Sequence, residues 1–229
     1  MQKLVLLVLL LCSCSSTQPT AATEEQAVKI RYLALGDSYT IGESVDEPER
    51  WSNQLADFLK AGGIPTDVTI IARTGWTTNE LWDGIQANKI DPPYDLVSLL
   101  IGVNNQYRGY NINEYREQFI SLLNKSIEYA GGNANRVIVL SIPDWGVTPF
   151  AAGRDREQIA KDIDAFNAVN KGETEKAGAH YVDITPISRQ AINDSSLIDG
   201  DRLHPSGKMY GMWAELTLPV ASEILTADH

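Results

Sequence analysis

Apolar positions along this chain fall into short continuous runs that alternate with longer stretches of helical spacing. Residues 30–35 (Ile-Arg-Tyr-Leu-Ala-Leu) form an apolar, partly β-branched run that stops at Gly36, which reads as a strand. Residues 68–72, 96–101, 137–140 and 181–184 repeat the signal, the run over 96–101 being apolar at nearly every position and ending at Gly102. Between the first two runs, Trp51, Leu55, Phe58 and Leu59 recur at helical spacing and stop at Gly62-Gly63. Residues 112–129 read as a helix ended by Gly131-Gly132, and residues 155–177 as a longer one. A last helix is predicted after Ser206, whose hydroxyl can cap the exposed amides. Strands this continuously apolar are buried on both faces, so the pattern predicts an α/β fold, a parallel sheet with helices on each side.

In such sheets ligands bind outside the carboxyl ends of the strands. That rule gathers Gly36-Asp37-Ser38, Arg73-Thr74-Gly75, Gly102-Val103-Asn104 and Pro143-Asp144-Trp145 at one edge. Any chemistry is expected there.

The 229 residues suit one domain with a substantial core, and 43% hydrophobic with 21% charged residues is an ordinary globular balance. The formal net charge of -11, with no basic cluster, excludes nucleic acid as a partner. The amino terminus departs from this picture. Lys3 precedes eight apolar residues, Leu4 to Leu11, too few for the roughly 18–20 that span a bilayer. A positive start, a short apolar stretch and small residues predict an export signal over residues 1–13. Leu11-Cys12-Ser13-Cys14 resembles a bacterial lipobox, which implies cleavage before Cys14 and its lipidation. An ordinary secretory signal with two incidental cysteines is the alternative. Residues 14–28 then form a lipidated cysteine and a polar tether, reaching about 20 Å by flexible-chain scaling, and residues 29–229 the domain. The expected location is the cell envelope, with membrane contact only through the anchor, or secretion without lipidation. A monomer is expected. Cys12 and Cys14 are the only cysteines, so the domain cannot rest on disulfides.

Three histidines are present. His229 ends the chain, and His180 precedes a predicted strand at the end of the sheet away from the expected site. His204 remains, three residues after Asp201, a spacing that lets a carboxylate accept the Nδ1 proton and leave Nε2 free as a base. Ser38, on a tight turn after the first strand, is the candidate nucleophile. Gly75 offers an approachable amide and Asn104 a side-chain amide for a developing oxyanion. Singly, Ser38 reads equally as a helix cap, Gly75 as a turn glycine, Asn104 as a loop cap and His204 as a loop histidine beside a chance acid. Only one well-placed histidine and no domain cysteine disfavour metal chemistry.

Together, Gly36-Asp37-Ser38, Thr74-Gly75-Trp76-Thr77-Thr78, Gly102-Val103-Asn104-Asn105 and Asp201-Arg202-Leu203-His204-Pro205 resemble the four signature blocks of SGNH (GDSL) hydrolases, in order and across almost the whole domain. The resemblance implies a flavodoxin-like three-layer α/β/α sandwich with a parallel sheet of about five strands, and a serine esterase without cofactor or metal. It makes Ser38 the nucleophile, His204 the general acid-base and Asp201 its orienting carboxylate. The Ser38 and Gly75 amides and the Asn104 side chain become the oxyanion hole. One block departs from the family: Asn105 stands where an aspartate is usual. No G-x-S-x-G elbow is present. The expected substrate is a small-molecule or glycan ester with a short acyl or O-acetyl group. A thioesterase, a lipase, or a non-catalytic glycan- or envelope-binding protein on the same scaffold are the alternatives. Trp76 and Trp145 are candidate sugar-stacking or packing aromatics, and Arg108 has no assigned role.

Overall fold

The computed structural model describes residues 29–227. The expected signal peptide (1–13), Cys14 with its tether (14–28) and His229 lie outside the described residues.

Among the described residues, five strands, β1 (Ile30–Gly36), β2 (Thr66–Ala72), β3 (Leu96–Leu100), β4 (Val137–Leu140) and β5 (His180–Val182), make one sheet in the order β2-β1-β3-β4-β5. Every neighbouring pair is parallel. Strands β3 and β4 are buried at every position, which is why their sequence is unbroken by polar alternation. Strand β2 lies at the sheet edge and is only partly covered, so Thr66 and Asp67 carry no apolar signal and extend the strand beyond its predicted start. Strand β5 stops at Val182, earlier than predicted. There Asp183 accepts from Ser141 Oγ at 3.0 Å and the Ile184 amide donates to the same hydroxyl at 2.8 Å, turning the chain out of the ladder.

Among the described residues, eight α-helices connect and flank the sheet: α1 (Ser38–Ile41), α2 (Trp51–Ala61), α3 (Thr78–Ala87), α4 (Val103–Tyr107), α5 (Ile112–Tyr129), α6 (Arg156–Ala177), α7 (Thr185–Arg189) and α8 (Gly207–Ala227). Helices α2 and α8 pack together, while α5 packs on β3 between α3 and α6. The result is the expected three-layer sandwich. Trp51, Tyr32, Tyr115, Phe119, Tyr210 and Trp213 are its largest fully buried side chains, and burying aromatics of this size dominates core energetics. Tyr32 keeps its hydroxyl satisfied inside the sheet through Ser98 Oγ at 2.8 Å. Among the described residues, no helix is long and apolar enough to cross a membrane.

Helices α2 and α5 have the predicted bounds, and Asp155 is the cap of α6, its side chain accepting from Gln158 N. Ser206 accepts from Met209 N at 3.5 Å at the start of α8 while donating to Ser196 O at 2.7 Å. Helix α3 was not predicted from periodicity. Its start carries a capping box between Thr77 and Glu80, a sequence signature legible in Thr77-Thr78-Asn79-Glu80.

The sheet order reverses between β1 and β3, so their carboxyl ends diverge and open a crevice. Four loops meet there.

Candidate active site

The first loop turns directly from β1 into α1. A Cβ on Gly36 would lie 2.2 Å from Thr40 Oγ1 and 2.4 Å from Leu100 O, so only glycine permits this tight passage. Asp37 caps α1 by accepting from Tyr39 N at 3.1 Å. Ser38 is then the first residue of the helix and is buried. After β2 the chain reaches Gly75 at φ 85°, a left-handed conformation that exposes the backbone to the crevice, and enters α3 through its capping box. After β3, Asn104 lies in the short helix α4.

The fourth loop supplies the dyad. His204 Nδ1–H donates to Asp201 Oδ2 at 2.5 Å, and the Leu203 and His204 amides both donate to Asp201 Oδ1 at 2.9 Å. The carboxylate thereby organises its own turn as well as the ring. Partial burial pushes the Asp201 carboxyl up, but the His204 ring, the Leu203 and His204 amides and the Ser44 hydroxyl outweigh it and hold the group at about 2. It remains an anion at neutral pH, so Nδ1 keeps the proton and Nε2 presents its lone pair. Tyr39 packs edge-on against the imidazole, with ring centroids 5.5 Å apart, and fixes its tilt.

Ser38, Gly75, Asn104 and His204 line one cavity of about 160 Å³. The predicted site residues, scattered across 167 positions of sequence from Ser38 to Asp201 and His204, therefore converge. Tyr107, Trp145, Phe150, Val103 and Leu203 close the rest with an apolar wall. Trp145 meets Tyr107 and Phe150 at centroid separations of 5.3 and 6.0 Å, and its indole N–H donates to Gln106 Oε1 at 2.8 Å. It is a buried wall. Trp76 is not among the lining residues. Its ring packs against Gly84 of α3, where a Cβ would sit 2.2 Å from the indole, so it serves packing.

Hydrogen bonds between the second and third loops fix the candidate oxyanion donors, Gly75 and Asn104, relative to one another. Asn104 Nδ2 donates to Trp76 O at 3.0 Å, using one of its two amide hydrogens and leaving the other. Asn105 is fully buried; its Oδ1 accepts from Thr78 N at 3.1 Å and its Nδ2 donates to Thr78 Oγ1 at 2.8 Å. The departure from the usual aspartate thus keeps the loop anchored, because an amide both accepts and donates. Arg108, the residue that ends α4 four positions after Asn104, donates to Gly75 O at 2.6 Å and pairs with Glu80 at 3.2 Å. It holds the peptide that follows the Gly75 amide's own residue. Sequence reasoning left Arg108 unassigned, and no local pattern marks it, because its partners Gly75 and Glu80 lie in another segment.

Asp37 stands apart electrostatically. It is fully buried, and its Oδ2 has no hydrogen-bond partner among the described residues. Burial pushes its carboxyl up to about 7, against the weaker opposing pull of the backbone hydrogen bond from Tyr39. His180 begins β5, at the far end of the sheet, and bonds to Asn135 Oδ1 at 2.9 Å.

Known proteins extend this picture. The sequence model of the GDSL-like lipase/acylhydrolase family matches residues 34–212. No curated protein sequence matches the chain. Among solved structures, a member of the lipolytic protein G-D-S-L family from Veillonella parvula superposes with a TM-score of 0.66 at 16% identity, covering 84% of this chain and 98% of that one. An acetylxylan esterase from Geobacillus stearothermophilus gives 0.66 at 19%, covering 84% and 94%. A psychrotrophic esterase from Pseudoalteromonas sp. gives 0.67 at 17%, covering 86% and 98%. At these identities the structural likeness speaks for the fold.

Proposed function

Since this chain belongs to the GDSL-like lipase/acylhydrolase family and is an ester-hydrolysing serine hydrolase, we propose that it removes short acyl or O-acetyl groups through an acyl-enzyme at Ser38. The observation that carries the reading is the single cavity shared by Ser38, Gly75, Asn104 and His204, with His204 oriented by Asp201 at 2.5 Å. His204 Nε2 takes the Ser38 proton as Oγ attacks the ester carbonyl. The oxyanion that forms meets the Ser38 and Gly75 amides and the free Asn104 amide hydrogen, donors already fixed before reaction. His204 then protonates the departing alcohol, and water attacks the acyl-enzyme with the same base assisting. Asp201 stays ionised throughout and balances the imidazolium.

Cavity size supports a short acyl group. Pockets that enclose drug-sized ligands run to about 300–1,000 Å³, whereas this one measures about 160 Å³ behind the Tyr107, Trp145 and Phe150 wall. An acetyl group on a glycan fits that size, and the acetylxylan esterase of the same fold acts on such a substrate class by its name. Lipidation at Cys14, with a polar tether over residues 14–28, is proposed to hold the enzyme at the cell envelope. Labelling with a fatty-acid analogue that Cys14→Ser abolishes would support the anchor.

The decisive experiment pairs p-nitrophenyl acetate hydrolysis with fluorophosphonate labelling of the unmodified protein and of Ser38→Ala. Turnover and labelling that both vanish with the hydroxyl support the reading. Full activity in Ser38→Ala, or neither signal in folded unmodified protein, overturns it in favour of a binding protein.

A further inference from the structure

A second, larger cavity lies directly beside the catalytic one. It measures about 560 Å³ and is lined by Pro149, Arg156, Ile192, Asn193, Asp199 and Arg202 among others. The two are separated by a thin partition. Phe150 N donates to Arg202 O at 3.1 Å, and the neighbours on each strand of chain divide across it. Phe150 and Leu203 face the catalytic cavity, while Pro149 and Arg202 face the other. A substrate whose ester sits at Ser38 and which extends past Phe150 enters this space.

Its charge runs against the rest of the molecule. The chain carries a formal net charge of -11, yet two guanidiniums and one carboxylate, Asp199, line this cavity. Arg156 donates to Thr148 O at 3.2 Å, and among the described residues neither Arg156 nor Arg202 forms an ion pair. A third guanidinium, Arg154, stands at the aromatic wall, 5.3 Å from the Tyr107 ring centre and 5.7 Å from that of Trp145. Arg202 also occupies a left-handed backbone position, φ 71°, that a side-chain-bearing residue adopts at a cost. A long cationic side chain is thus kept at a place where glycine or asparagine would sit more easily, two residues before the catalytic imidazole.

We propose that this cavity is a subsite for a carboxylate-bearing sugar, so that the ester substrate is an acidic glycan. This rests on the Ser38 esterase reading and goes further, to the substrate class. The planar forks of Arg156 and Arg202 match a carboxylate's two oxygens. The Asn193 amide and the Ser195 hydroxyl offer partners for sugar hydroxyls, and Pro149 with the exposed Ile192 gives apolar surface for the C–H face of a pyranose ring. Asp199 disfavours a second negative charge at the same spot and accepts a hydroxyl instead.

Binding tests the subsite without turnover. Full-length Ser38→Ala protein is titrated calorimetrically at low salt with trigalacturonate and with the neutral maltotriose. The acidic trisaccharide should bind at least about tenfold more tightly, the effect of one partly exposed charge-assisted contact. Adding Arg156→Gln or Arg202→Gln should erase that preference. Adding Lys60→Gln should preserve it, since Lys60 is exposed in the last turn of α2, just before β2 begins at the end of the sheet away from the cavities, and changes the net charge equally. Equal affinity for the two sugars, no binding of the acidic one, or a preference that Arg156→Gln and Lys60→Gln reduce alike would each overturn the proposal. Failure of the esterase reading is recognised separately, by absent p-nitrophenyl acetate turnover in the unmodified protein.

Discussion

Asp37 makes folding stability depend on pH in a direction opposite to that of most carboxylates. The carboxyl is fully buried next to the nucleophile, its Oδ2 is unpartnered, and burial raises it from 3.8 to about 7. Below pH 3.8 both folded and unfolded chains hold the proton and the group has no differential effect. Between that value and about 7 the unfolded chain ionises while the folded one keeps its proton, so stability falls as pH rises. Above about 7 the whole penalty is present, and at about 1.4 kcal/mol for each pH unit it amounts to roughly 4 kcal/mol. Asp37→Asn removes the ionisation but keeps an oxygen to accept from Tyr39 N. Urea unfolding of both proteins, followed by fluorescence of the buried Trp51 and Trp213, gives the difference in stability at about pH 5 and about pH 8. The variant should gain on the parent by roughly 2–3 kcal/mol between those two conditions. Any constant offset from the new amide cancels in the comparison. A difference that stays flat within about 0.5 kcal/mol would show that Asp37 is ionised and solvated in the fold, and the burial argument would be wrong.

Three further substitutions probe the site. Asn104→Ala removes one oxyanion donor and should lower kcat about 10²–10³-fold with KM little changed, measured on p-nitrophenyl acetate. Asp201→Asn keeps the shape of the turn but lets the ring choose the wrong tautomer, so kcat should fall by roughly 10⁴-fold; a fall under about tenfold would deny Asp201 its orienting role. Asn105→Ala leaves the Thr78 amide buried without its acceptor and should destabilise the protein by about 1–3 kcal/mol, whereas a change within error in a urea melt would mean the second and third loops do not depend on this tie.

The strands were legible because their burial is nearly complete. Residues 96–101 and 137–140 are apolar at almost every position for the same reason that β3 and β4 have no exposed residue. Helix α3 escaped periodicity because its turns are rich in polar residues, although Thr77 and Glu80 announced its start. Candidate chemistry was legible wherever a short motif carried it: Ser38 on a tight turn, and Asp201 three residues before His204. Arg108, Tyr39 and the aromatic wall had no such local mark, since their partners Gly75, His204 and Trp145 lie in distant segments.

The sequence alone therefore determined the layers and the parallel sheet and singled out candidate reacting groups, because periodicity and motif spacing are local properties of a chain. Only the tertiary structure decided which of two tryptophans walls the cavity, how Asn105 replaces an aspartate, and that Asp37 is sealed from water while Asp201 is held as an anion. Those outcomes depend on dielectric surroundings and on contacts between residues far apart in the chain, and both come into being only when the loops at the sheet's carboxyl edge close on one another.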